Sequence, residues 1–216
     1  ALQNTTAKGR PFEEELLPIV GSWATMVGGD LEHVGPDNQP GDIVVTLGPS
    51  GMSTTALRIV IEARDDRTSS GRKRILDGMS KAMTTRHADY GIYVAKSLDG
   101  LAQEIGEWSE LHSVDGPIIA CTVQHLKTAL RFAVAETTVR QVNSASAQTD
   151  AVAIEAELTR MRSILNRIRT INTKSSAIRS ASDSITQEAD DLKRELTSSL
   201  SAIENALMAH PQMASS

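Results

Sequence analysis

Between Phe12 and Trp23 the apolar residues Phe12, Leu16, Leu17, Ile19, Val20 and Trp23 recur at the spacing of one helix face. Pro11 suits the first turn of that helix, where its missing N–H costs nothing. Glu13, Glu14 and Glu15 then put negative charge near the positive end of the helix dipole. Pro18 and Gly21 are expected to interrupt or bend the helix, and Gly28-Gly29-Asp30 to end it. The pattern then changes. Leu31–Val34 is a short strand, and Gly35 to Gly41 is dense in turn residues. Asp42 opens a strand with three β-branched residues in succession, Ile43-Val44-Val45, and Ala56–Arg64 reads as a buried central strand. Helical spacing returns with Ile75, Leu76, Met79 and Met83. Asp89–Ala95 is a strand, Leu98–Trp108 is helical or irregular, and Gly116–Val123 contains a further strand. Leu126, Leu130, Phe132 and Ala133 begin another helix. This order, α-β-β-β-α-β-(α)-β-α, predicts an α/β domain with a mixed sheet flanked by helices, closed at about residue 140.

Beyond that boundary the periodicity is of another kind. From Ile154 the apolar positions run Leu158, Met161, Leu165, Ile168 and Ile171, then Ile178, Ile185, Leu192, Leu196 and Ile203. Spacings of three and four persist, with a three-residue slip from Ile168 to Ile171, and Ser175, Ser182 and Ser199 lie in the seam. This is heptad packing with a stammer. It fits a single long coiled-coil helix or a helical hairpin turning near Asn172–Ser176. A helix so rich in Ser and Thr is marginal alone, so its seam is expected to bury against another chain or its own domain. All six aromatic residues (Phe12, Trp23, Tyr90, Tyr93, Trp108 and Phe132) precede this segment. The expected organisation is a flexible lead-in over 1–9, the α/β domain over 10–140, a helical segment over 141–209 and a disordered tail over 210–216.

Composition narrows the function. A net charge of −5 argues against a generically basic nucleic-acid coat. The one cysteine, Cys121, excludes an intramolecular disulfide framework and disfavours a cysteine-rich zinc site. The five histidines have no zinc-type spacing. No apolar run approaches the ~18 residues of a membrane span, and no signal peptide is recognisable, so a cytoplasmic location without membrane partners is expected.

Two acids draw attention. Asp42 opens one strand directly after a turn, and Glu62 ends the next. If the two strands pair as a hairpin, these carboxylates meet at one sheet edge. Two carboxylates with water suit Mg²⁺ (or Mn²⁺), a hard ion that prefers oxygen ligands. Residues 64–86 hold Arg64, Arg67, Arg72, Lys73, Arg74, Lys81 and Arg86 against three acids, a local excess of four positive charges. A basic stripe beside a carboxylate pair fits an approaching phosphate backbone.

The motifs Lys8-Gly9-Arg10-Pro11-Phe12-Glu13-Glu14, Gly41-Asp42-Ile43-Val44-Val45 and Ile59-Val60-Ile61-Glu62-Ala63-Arg64-Asp65 occur in that order. Gly91-Ile92-Tyr93-Val94 follows after the basic helix. Over roughly residues 8–135 the chain resembles the PD-(D/E)XK, restriction-endonuclease-like nucleases, closest to the Mrr-type and RmuC-like branch. The resemblance implies a restriction-endonuclease-like mixed sheet and Mg²⁺-dependent hydrolysis of DNA. It implies Asp42 and Glu62 as metal ligands and Glu13 as the first-helix acid acting through metal-bound water. Arg64 falls where the family has its catalytic lysine. Arginine keeps the charge, but its pKa is too high for proton transfer. Two functions follow: a metal-dependent DNA endonuclease, or a catalytically silent DNA-binding or assembly module. In either, the C-terminal helix is expected to form a homodimer or bind a partner protein.

Overall fold

The computed structural model describes residues 6–49, 56–65, 68–144 and 148–209. The chain divides into two compact units, residues 1–169 and residues 170–216. The first is an α/β unit built on a six-stranded mixed sheet. It contains α1 (Thr6–Met26), β1 (Gly29–His33), β2 (Ile43–Leu47), β3 (Leu57–Arg64), α2 (Arg72–Arg86), β4 (Tyr90–Ala95), β5 (Trp108–Ser113), β6 (Gly116–Thr122) and α3 (Leu126–Ser144). The sheet order is β1-β2-β3-β4-β6-β5. β1, β2 and β3 form an antiparallel meander, β3, β4 and β6 run parallel, and β5 returns antiparallel to β6.

Alternation along the strands sends side chains into two cores. On one face Ile43, Val45, Ile59 and Ile61 meet Phe12, Leu16, Val20 and Trp23 of α1 and Leu130 and Phe132 of α3. On the other, Val44, Val60, Tyr93 and Ile118 meet Ile75, Met79 and Met83 of α2. The central strands are apolar on both sides because helices cover both sides.

Local expectations are corrected in α1 and narrowed beyond β4. α1 begins at Thr6, within the segment expected as a lead-in, and runs unbroken through Pro18 and Gly21. Pro18 and Glu14, whose carbonyl loses its N–H partner there, are both exposed, so the break in the hydrogen-bond ladder lies on the solvent side of the helix. Of the two forms open to residues 98–108 the irregular one is found, with one short 3₁₀ turn at Leu98–Gly100 and no α-helix. A strand that sequence patterning did not show, β5, follows from Trp108 and forms a hairpin with β6.

The last helix, α4 (Gln148–Ala209), is helical through Asn172–Ser176, so no hairpin turn falls there. Its part in the first unit carries Leu158 and Leu165 into the core beneath α1 and α3. Arg162 ties this part down, donating to Glu110 at 2.8 Å and lying over the Phe132 ring. In the second unit, by itself, the helix exposes its large aliphatic residues. Among the described residues, no helix is long and apolar enough to cross a membrane. The expected tail at 210–216 lies outside the described residues.

Candidate functional site

The antiparallel register of β2 and β3 sets Ile43 opposite Ile61. One step beyond this pair lie Asp42 and Glu62, so the two acids meet at the end of the hairpin. Each is anchored on the opposite strand's backbone. The Ala63 N–H donates to Asp42 Oδ2 at 2.7 Å, and the Gly41 N–H donates to Glu62 Oε2 at 2.8 Å. The Asp42 N–H donates in turn to the Ile61 carbonyl at 2.9 Å. Both side chains are buried, Asp42 at 9% and Glu62 at 7% exposure.

The third predicted acid joins them. Glu13 is buried on α1, whereas Glu14 and Glu15 point to solvent. Its carboxylate lies 3.5 Å from His33 Nε2. Its charge is felt at Asp42. Burial raises the Asp42 pKa first, repulsion from Glu62 and Glu13 adds to it, and the Ala63 N–H and Arg64 oppose it. The result is a rise from 3.8 to about 7. Arg64 sits at the rim, 45% exposed, and its guanidinium donates to Glu62 Oε1.

The geometry adds two residues that sequence reasoning missed or misread. Lys96 is the first residue beyond β4, and its N–H donates to the Arg64 carbonyl at 2.9 Å. Its ammonium lies 2.9 Å from Glu15 and 3.3 Å from Asp65, and over the Phe12 ring. Those carboxylates raise its pKa and keep it charged. A polar residue leaving the C-terminal end of a parallel strand was the available signal.

Arg86, expected among the DNA contacts, turns inward. It is 9% exposed and forks onto Asp37 at 2.6 and 2.7 Å. It also donates to the carbonyls of Val34, Gln39, Pro40 and Gly41. The guanidinium holds Asp37 down to about 2. Arg86 therefore clamps the loop that delivers Asp42. Gly41 needs that loop's geometry. Its φ is +91°, and an added Cβ would lie 2.6 Å from Val60 Cγ2.

Arg72, Lys73, Arg74 and Lys81 are exposed on α2 and line an open groove of about 640 Å³, which also receives Asp77 and Glu104. Glu104 accepts the Arg72 N–H at 2.8 Å. Arg67 lies outside the described residues. Cys121 is buried, and burial pushes its thiol pKa up, which suits a core residue rather than a nucleophile.

Comparison with family models, with curated proteins and with solved structures returns no match. What the site can do therefore rests on its own chemistry. It joins buried, mutually repelling carboxylates to a rim arginine, while Lys96 is paired with Glu15 and Asp65, and the same unit carries an exposed basic groove.

Proposed function

We propose that this protein is a metal-dependent DNA endonuclease, or a closely similar nuclease-like DNA-processing protein, acting at the Asp42–Glu62 edge. The observation that carries this reading is the cross-anchored carboxylate pair, in which burial first, and then repulsion from Glu62 and Glu13, raises Asp42 to about 7. The chain order supports it: a helix bearing Glu13, three antiparallel strands, a basic helix and a parallel strand.

Buried repelling carboxylates suit a divalent cation, since oxygen ligands of one sign need a positive charge between them. Among the described residues no group of three His, Cys, Asp or Glu side chains is placed to hold a metal. Asp42 and Glu62 with water would therefore form the donor set for Mg²⁺ or Mn²⁺. When bound, the ion supplies an acidified water and a counter-charge for a phosphoryl oxygen. The protein's residues do the rest. The backbone N–H groups of Gly41 and Ala63 fix the two carboxylates. Arg64, released from Glu62, steadies phosphate charge but carries no proton in the reaction. The exposed cations of α2 bind the nucleic-acid backbone, a salt-sensitive contribution.

A second reading, a non-cleaving DNA-binding or assembly module, is favoured by one observation. The Arg64 guanidinium already neutralises Glu62, filling electrostatically the place of an ion. Incubation with plasmid and linear DNA in Mg²⁺, Mn²⁺ or EDTA separates the two. Metal-dependent nicking lost in Asp42→Ala and Glu62→Ala supports the nuclease. Binding without cleavage in any metal, unchanged by Arg64→Lys, refutes it.

A further inference from the structure

Four residues of the second unit, Ile171, Ile178, Ile185 and Leu192, stand at strict intervals of seven, and all are 62–71% exposed. Leu196 and Ile203, 64% and 57% exposed, carry the seam on in the companion row, offset by four residues and seven apart from each other. Surface helices of globular proteins bury such residues, and scattered exposed ones need no explanation. A periodic row is different. Across the 33 residues from Ile171 to Ile203 the two rows together extend ~48 Å at 1.5 Å per residue.

We infer that this stripe is the seam of a coiled coil with a second copy of the same chain. Three observations select that occupant. First, the period is seven, not 3.6 or eleven. A row of period seven stays in contact only with a partner that supercoils around it, which means another long helix. A flat globular surface would meet two turns of such a row and lose the third.

Second, the seam is self-complementary. Ile171, Ile178 and Ile185 are each followed four residues on by Ser175, Ser182 or Ala189, small residues that leave holes for the knobs of a facing helix. Beyond Leu192 the rows exchange parts, with Leu196 and Ile203 as knobs beside Ser199. The same helix therefore offers knobs and holes together, the condition for an isologous pair.

Third, the amount of apolar surface is right. Six large aliphatic side chains, each more than half exposed, amount to roughly 600–700 Å², on the order of the ~800 Å² that each partner gives to a standard stable interface. A helix this rich in Ser and Thr also needs tertiary or quaternary burial to persist in water. Pairing supplies it without any third component.

The inference is independent of the carboxylate site, and its test reads mass rather than cleavage. The full chain is examined by sedimentation equilibrium beside Ile178→Glu/Ile185→Glu, which puts charge into the seam. Ser180→Glu/Gln187→Glu, on the opposite side of the same turns, is the control. The expected result is twice the chain mass for wild type and control, and a single chain mass for the seam variant. Far-ultraviolet circular dichroism of the seam variant should show loss of helix. Near-ultraviolet signals of Trp23 and Trp108, both in the α/β unit, should stay unchanged. A wild-type chain that sediments as a monomer, or a dimer that the seam variant leaves intact, overturns the inference.

Discussion

Replacing Asp42 with asparagine removes a charge that the folded chain holds at a cost. The Asp42 pKa rises from 3.8 to about 7 on folding, chiefly through burial and then through Glu62 and Glu13. For an acid with a raised folded-state pKa, the native state binds more protons than the unfolded state between those two values. Stability from this residue is therefore fully present below pH ~4 and is lost as pH rises through ~7. A shift of about three units at ~1.4 kcal/mol each sets an upper bound near 4 kcal/mol at pH 8. The substituted side chain would still accept the Ala63 N–H through its amide oxygen, so the anchor survives while the charge goes. Asp42→Asn is expected to be more stable than wild type by about 2–4 kcal/mol at pH 8, and near parity at pH 4. Urea titrations followed by tryptophan fluorescence at several pH values give the comparison. Equal slopes of stability against pH for the two proteins between pH 4 and 8 would refute the reasoning.

Three other perturbations probe the frame around the site. Arg86→Ala leaves Asp37 and four loop carbonyls without their donor and should cost ~3 kcal/mol; Arg86→Lys, lacking the fork, should restore less than half of that in the same urea assay. Gly41→Ala forces a Cβ at φ +91° against Val60 and should cost ~1–3 kcal/mol, measured as a lowered thermal midpoint. Leu158→Ala opens a cavity in the core shared by α1, α3 and the start of α4 and should cost ~2–5 kcal/mol; a loss below ~1 kcal/mol would mean that this part of α4 does not pack as described.

Much of the fold was legible because burial on both sheet faces leaves dense apolar runs. Val44, Val45, Ile59, Val60 and Ile61 announce β2 and β3 without help from context. β5 was hidden because only Trp108 and Leu111 among its six residues are apolar, and its pairing with β6 is what makes it a strand. The Asp42–Glu62 meeting followed from strand ends and turn residues alone. Glu13 was singled out among three glutamates by its place in the motif, and its burial distinguishes it from its neighbours. Arg86 was misread as a phosphate contact, although its spacing from Met79 and Met83 puts it on the buried stripe of α2. Charge overrode period in that reading, because a buried arginine is rare unless something specific receives it. What receives it is a loop some 50 residues away, which no local pattern encodes.

That clamp also bears on how freely the protein can vary. Most of Arg86's acceptors are main-chain carbonyls, at Val34, Gln39, Pro40 and Gly41, and only Asp37 answers through its side chain. A backbone acceptor is the same whatever residue carries it. Val34, Gln39 and Pro40 are therefore interchangeable from the guanidinium's point of view, so long as the loop keeps its path. Arg86, Asp37 and Gly41 have no such latitude. Divergent copies of this protein should drift at Val34, Gln39 and Pro40 while holding Arg86, Gly41 and the one side-chain acceptor, Asp37, fixed.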